Sequence, residues 1–414
     1  MTGTNWAGNV IFNAQSLARP TSVRELQAVI TSSDRVRALG SGHSFNRIAD
    51  TDGTQVTVSA LPPEIEVDTA ARRVQVAAGL TFAQLTTRLE QAGLALPNLG
   101  SLPHISIAGA CATGTHGSGN GNGALPTAVS AIDLVTASGE VVSLSRAADP
   151  DRFDGTLVAL GCLGIVIRMT LELVPSFAIA QYVFDDLADE SLDEHFDEIF
   201  ASGYSVSVFT DFRMNRLWSK RLAADAPPPQ HWFGAMAAPV PRNPVPGVPA
   251  DNTTEQLGVP GPWHERLPHF RADHIPSSGA EQQSEYLLPR HHAVAALRAV
   301  RVLRDQFAPV LQVAEVRTVA ADDLWLSPSY RRDTVGLHFT WIDDTPAVLP
   351  VVQAVEQQLA PFSPRPHWGK VFAMTPAAVC AQYERMPDFR ELMGEYDPRG
   401  KFGNSLTDEY LSAR

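Results

Sequence analysis

Along residues 165–173 the apolar positions Ile165, Ile167, Met169, Leu171 and Leu173 alternate with Arg168, Thr170 and Glu172. A period of two predicts a strand with one face buried and the other wet. Pro175 closes the run, and the first domain boundary falls there. Upstream the period changes. Ser22 and Glu25 precede Leu26, Val29 and Ile30, and Thr81 and Gln84 precede Leu85 and Leu89, which are capping-box signatures of short amphipathic helices. Gly93 supplies a stop for the second. Residues 131–144 read as a hairpin turning at Ser138-Gly139, and three strands are expected between Leu311 and Phe372, with a helical pattern at 347–359.

Between Pro227 and Pro268 stand eleven prolines, a density that neither a regular helix nor a central strand tolerates. The stretch is expected to be an extended loop wrapped over a second domain. With 414 residues, the chain exceeds the roughly 250–300 that one core serves, so two domains are expected. Hydrophobic content of 44% and charged content of 19% belong to a folded globule. The 45 acidic residues outnumber the 32 basic ones, and the formal charge of -13 speaks against nucleic acid or an anionic membrane as partner. Cys111, Cys162 and Cys380 form neither a disulfide framework nor a zinc motif, and the N-terminus lacks signal-peptide features. A cytoplasmic protein is expected.

Candidate chemistry begins at RVRALGSGHSFN, residues 35–46, where Gly40-Ser41-Gly42 follows a short apolar strand. Such a turn points successive N–H groups at an anion. A dinucleotide fingerprint would need a third glycine where Phe45 stands, so a helix-anchored nicotinamide site is excluded. His43 is left at the rim of the turn, facing whatever binds. A second glycine-rich block starts at Gly100, and Ser101, Ser106, Thr113, Thr115 and Ser118 add hydroxyls without bulk. Two cradles suggest a long cofactor.

Farther on, Glu315 and Arg317 share one face of the strand LQVAEVRTV, and His338 and Thr340 share one face of VGLHFTW. The segment HWGKVF contributes His367 and Lys370 in what reads as a strand. A lysine buried in such a setting needs a compensating anion, hydroxyl or negatively charged transition state. His264, His269 and His274 recur every five residues, which matches no helical face, and a metal site there is not expected.

Seven segments together resemble the alditol oxidases, also called xylitol or sorbitol oxidases, within the vanillyl-alcohol-oxidase type of flavoprotein. They are NWAGN from Asn5, GSGHSFN around His43, LPNLGSLPHISIAGACATGTHGSG from Leu96, GVPGPWHERLPHFR from Gly258, EVRTVAAD from Glu315, HFTW from His338 and HWGK from His367. The resemblance implies an α+β, two-domain flavoprotein. Residues 1–175 would form a PCMH-type FAD-binding domain, residues 176–370 a substrate domain on an antiparallel sheet, and residues 371–414 a segment returning to the first domain. FAD would be attached covalently through His43. It would be cradled by Gly40, Ser41, Gly42, Ser44, Ser101, Ser106, Gly109, Thr113, Gly114, Thr115, His116, Val166 and His367, with Val166 near the adenine. No metal is implied.

The same resemblance makes Lys370 and Arg317 the catalytic pair. It assigns polyol binding to Ser101, Glu315, Arg317, His338, Thr340 and Lys370. Oxidation of a terminal alcohol requires loss of the hydroxyl proton and of a hydride to flavin, and O2 would then give hydrogen peroxide. Lys370 can accept the proton only with a depressed pKa, for which Arg317 is the expected cause; otherwise it stabilises the forming alkoxide. Partners are a small polyol and O2, and a monomer suffices. Gly100 departs from the family texture, standing where close relatives carry alanine; a small residue there would ease oxygen access, and oxidase reactivity is expected to be retained. Two rivals remain: an aldonolactone oxidase or dehydrogenase, whose relatives share the E-x-R and HW-[AG]-K motifs, and a flavin-holding carbohydrate binder without turnover.

Overall fold

The computed structural model describes residues 3–273 and 280–412, and every count below refers to them. Three short strands, β1 (Ser16–Ala18), β2 (Val36–Ala38) and β3 (Thr54–Val56), form a parallel sheet in the order β1-β3-β2. Helix α1 (Val23–Ser32) links the first two. Ser22 accepts from the Glu25 amide at 3.2 Å, but the Glu25 carboxylate turns to the Thr21 amide and hydroxyl, so only half of the expected capping box forms. Thr21 offers two donors where Ser22 would offer one. At α2 (Phe82–Gln91) both halves, Thr81 and Gln84, are in place, and Gly93 beyond it takes φ +70°.

A five-stranded antiparallel sheet follows, made of β4 (Ile65–Asp68), β5 (Arg73–Ala77), β7 (Val129–Val135), β8 (Val141–Ser145) and β9 (Ile165–Glu172), ordered β4-β5-β9-β7-β8. The alternation in β9 buries Ile165, Ile167, Met169 and Leu171 and leaves Glu172 exposed. β7 and β8 form the expected hairpin. β6 (Leu94–Ala95) pairs with β10 (Val174–Pro175).

The larger sheet has ten strands: β11 (Ala178–Leu187), β12 (Ser205–Thr210), β13 (Asn215–Leu222), β14 (His231–Trp232), β15 (Ala235–Ala237), β16 (Gly261–Pro262), β17 (Glu281–Pro289), β18 (Leu311–Val319), β19 (Thr334–Ile342) and β20 (Arg365–Pro366). Its central strands run β12-β18-β19-β17. Helices Ala293–Arg301 and Thr345–Leu359 cover one face, where Leu297, Val300, Val352 and Val355 pack on Val316, Leu337, Phe339 and Tyr286. Side chains alternate across a sheet, so Glu285, Glu315, Arg317, His338 and Thr340 must emerge on the other face. Register aligns them: His338 lies opposite Glu315 on one side and Glu285 on the other.

Two connections close the fold around that face. The C-terminal stretch reaches the first sheet, where the Val36 amide donates to Lys401 O at 2.9 Å and Asn404 Nδ2 donates to Arg47 O and Asp50 O. The proline-rich stretch holds only short strands and one 3-10 turn, Trp263–Glu265, and is tied down by the Thr254 amide on His269 O and by Gln181 on Glu255 O.

Candidate active site

β2 runs into the turn Gly40–Ser44, which faces the start of helix α3 (Ile107–Ala112). The two are cross-linked: the Ser41 amide donates to Ser106 Oγ at 3.3 Å, and the Ser106 amide donates to Ser41 Oγ at 3.2 Å. Glycine keeps this junction closed, because a Cβ on Gly40 or Gly109 would meet Ser106 Oγ at 2.5 or 2.6 Å and push it off the Ser41 amide. Gly42 takes φ +73°, the left-handed conformation that lets the turn curl. Between these backbones and the large sheet lies a cavity of about 660 Å³. His43 stands in its wall, stacked on Trp6 with ring centroids 4.9 Å apart. Its Nδ1 is buried without a hydrogen-bond partner, and burial pushes the imidazole down to about 4, so it is neutral at pH 7.

At the sheet end, Lys370 Nζ lies 2.6 Å from Glu285 Oε2 and 2.6 Å from His338 Nδ1. An amine hydrogen pointing at Nδ1 requires the imidazole proton on Nε2, which faces Thr340 Oγ1 at 3.2 Å. Glu285 is only 1% exposed. Burial alone would raise its carboxyl, but Lys370 and His116 outweigh burial and hold it well below the usual range. Its other oxygen lies 3.3 Å from His116 Nε2, while His116 Nδ1 faces Gly117 O at 2.9 Å. Lys370 is itself lowered, first by burial, with Glu285 opposing and Arg317 adding to the depression. Burial, rather than Arg317, is thus the leading cause.

Alongside, Arg317 donates to the Glu315 carboxylate and, at 2.9 Å, to Ser101 Oγ. Glu315 is lowered to about 2; burial, the largest influence, would raise it, and the charge and hydrogen bond of Arg317 lead the influences that overcome it. Ser101 Oγ also lies 3.1 Å from His269 Nδ1. Beneath them Lys220, 1% exposed, donates to Leu267 O, and burial brings it down to about 7.

The residues expected to bind cofactor or substrate line this one cavity except Gly114, which sits behind the wall at φ +69° against Pro328; Ser118, also expected to offer its hydroxyl, is buried away from the cavity and donates to Val206 O. Lys370 does not lie in a strand. β20 ends at Pro366, and HWGK makes a turn in which the Lys370 amide donates to His367 O at 3.0 Å and Gly369 O accepts from the Phe45 amide at 2.8 Å. On either side of this turn the segment still bonds to β17, through the His367 amide on Glu285 O and the Val371 amide on Gln283 O. Among the residues missed are Glu285, His269 and Lys220. The alternation of Glu281, Gln283 and Glu285 against Gln282, Ser284 and Tyr286 was the signal available for the first, since all three odd positions line the cavity. His264 lies in the turn Trp263–Glu265, away from the cavity wall, and His274 lies outside the described residues.

Residues 14–145 match the family model described as FAD binding domain, and residues 280–412 match that described as D-arabinono-1,4-lactone oxidase. An alditol oxidase of Streptomyces sp. is 52% identical over 414 residues, spanning 99% of this chain and 98% of its own length. An L-gulono-1,4-lactone dehydrogenase of Mycobacterium tuberculosis is 30% identical over 439 residues, spanning 99% and 98%. Among solved structures, cholesterol oxidase from B. sterolicum aligns over 99% of this chain and 96% of that one with a TM-score of 0.80 at 15% identity, a likeness of fold alone.

Proposed function

Because the chain belongs to the alditol oxidase branch of the vanillyl-alcohol-oxidase type of flavoproteins, we propose that it oxidises the terminal CH-OH of an alditol such as xylitol or sorbitol to the aldose, while O2 becomes hydrogen peroxide. The observation that carries this reading is the pairing, in one cavity, of a glycine-and-hydroxyl cradle with a buried Lys370–Glu285–His338 cluster beside Glu315, Arg317 and Ser101.

The cradle fits FAD. Gly40 and Gly109 leave room for backbone alone beside Ser106, and the volume lies within the range of about 300–1,000 Å³ typical of ligand sites. Gly40, Ser41, Gly42, Ser44, Ser106, Gly109, Thr113, Thr115, His116, Val166 and His367 would hold it, and the neutral, unpartnered Nδ1 of His43 would provide the covalent attachment. Bound FAD supplies the hydride acceptor. The rest of the chemistry falls to side chains of this chain.

Lys370 as a neutral amine has two N–H groups to spend on Glu285 and His338, and its lone pair remains to accept the substrate hydroxyl proton. Burial and Arg317 favour that neutral form. Once protonated, the ammonium gains the Glu285 carboxylate as counter-ion, so the proton is retained while the hydride departs. Arg317, Ser101, Glu315 and Thr340 offer donors and acceptors to the remaining hydroxyls, a polar lining that an apolar alcohol would leave unsatisfied. A carbohydrate-binding protein without turnover would need no such buried amine. Among the described residues no helix is long and apolar enough to cross a membrane, and the three unpaired cysteines suit the cytoplasm.

Oxidation of an aldonolactone is the second reading, favoured by the match of residues 280–412 to the lactone oxidase family. Hydrogen peroxide and sugar product should be measured with xylitol, sorbitol and an aldonolactone in parallel. The alditols are expected to give stoichiometric peroxide and aldose; turnover of the lactone alone would overturn the assignment.

A further inference from the structure

The proline-rich stretch does more than wrap the large sheet: Asn243, Val245 and Asn252 line the cavity, and His269, directly after its last proline, lines it at the Glu315 end. We infer that His269 is a specificity-determining residue which, with Glu315, forms a subsite for one polyol hydroxyl away from the carbon being oxidised. The inference rests on the reading of the substrate as a polyol.

Hydrogen positions follow from the donors present. Arg317 carries only donors, so Ser101 Oγ accepts from it at 2.9 Å. The Ser101 hydroxyl hydrogen is thereby free to point at His269 Nδ1, 3.1 Å away. Burial holds the His269 imidazole well below its ordinary value, and Lys220 adds to that effect, so the ring is neutral; with the Ser101 hydroxyl directed at Nδ1, its single proton sits on Nε2. That N–H has no partner among the described residues, although the residue is only 5% exposed. Glu315 Oε1 is also without a hydrogen bond, and it lies 4.0 Å from Nε2. Two atoms 4.0 Å apart, one a donor and the other an acceptor, are too far for a bond to each other. They are well spaced for one hydroxyl to sit within about 2.8 Å of both, accepting from Nε2–H and donating to the carboxylate.

The surroundings hold this ring in place. Its edges meet Phe209 and Trp218 at 5.1 and 5.7 Å between centroids, near perpendicular in both cases. Lys220 clamps Leu267 O, two residues before it, and the Thr254 amide clamps His269 O at 3.0 Å. A group with a fixed orientation and an unspent donor discriminates between hydroxyl and hydrogen at one substrate carbon.

The test uses FAD-loaded protein with xylitol as probe. His269→Leu preserves the apolar packing but removes both nitrogens; His269→Gln keeps an N–H near the place of Nε2. In the leucine variant KM for xylitol is expected to rise about tenfold, the effect of one neutral hydrogen bond, with kcat within about threefold, flavin content unchanged and Tm near that of the parent. The glutamine variant should recover most of the lost affinity. An unchanged KM in the leucine variant, a fall in kcat or flavin content without a KM effect, or no recovery with glutamine would overturn the subsite. A parent enzyme that turns over lactone but not xylitol would instead overturn the polyol reading, a result obtained before any variant is made.

Discussion

Replacing Glu285 by glutamine keeps the shape of the cluster and removes one charge from it. Its carboxylate lies 2.6 Å from the Lys370 amine in a site that water scarcely enters. Two unit charges at that distance interact by about 6 kcal/mol at an effective dielectric of ~20, and breaking buried pairs typically costs about 3–5 kcal/mol. Taking the lower end, because the glutamine oxygen still accepts a hydrogen bond, the ammonium form loses about 3 kcal/mol, equivalent to about two pH units. Lys370 is already depressed by burial, and Glu285 is the strongest influence opposing that depression. Removing it pushes the amine further down, so the proton-accepting form is populated at lower pH. The rising limb of kcat/KM against pH should therefore move about two units toward acid in Glu285→Gln. Peroxide formation from xylitol across a pH series measures it, with flavin absorbance confirming that FAD is retained. A rising limb at the parental pH in FAD-replete variant would refute Lys370 as the proton acceptor supported by Glu285.

Lys370→Ala should remain yellow and flavin-bound while turnover falls about 10²- to 10⁴-fold, the usual contribution of a positioned base; undiminished turnover would remove it from the mechanism. His43→Ala should release FAD on acid denaturation, whereas the parent should keep the flavin with the precipitated protein. Release from both would end the covalent assignment. Gly100→Ala places a Cβ 3.6 Å from Thr115 Cγ2 and 3.8 Å from His116 O, ordinary contacts, so the variant should fold. Its anaerobic reduction by xylitol should be unchanged and its reoxidation by O2 slower; equal reoxidation rates would show that the small residue has no part in oxygen access.

Much of the scaffold was legible because local rules decided it. The alternation in Ile165–Glu172, the Thr81–Gln84 capping box and the shared faces of Glu315 with Arg317 and His338 with Thr340 all depend on neighbours a few positions away. What sequence could not show is which apolar or polar stripe meets which. Glu285 looked like any acid in a polar stretch, and only the pairing of β17 with β19 sets it beside His338 and Lys370. Lys220 reaches Leu267 O, two residues before His269, across about fifty residues through a proline-rich loop whose path no periodicity encodes. The strand expected at His367–Phe372 failed for a similar reason. Its amides reach β17 only at the ends, from His367 to Glu285 O and from Val371 to Gln283 O, while the carbonyls between them are taken by the Phe45 amide and by Asn46, whose Nδ2 donates to Trp368 O and Lys370 O at 2.8 Å each.

The central claim is that xylitol is oxidised at its terminal carbon by proton loss to Lys370 and hydride loss to FAD. Anaerobic stopped-flow mixing of FAD-loaded protein with xylitol, and with xylitol deuterated at both terminal carbons, tests this most directly. The account predicts full bleaching of the flavin by both, slower with the deuterated substrate. Bleaching by an aldonolactone but not by xylitol, or identical rates for the two xylitols at saturation, would contradict it.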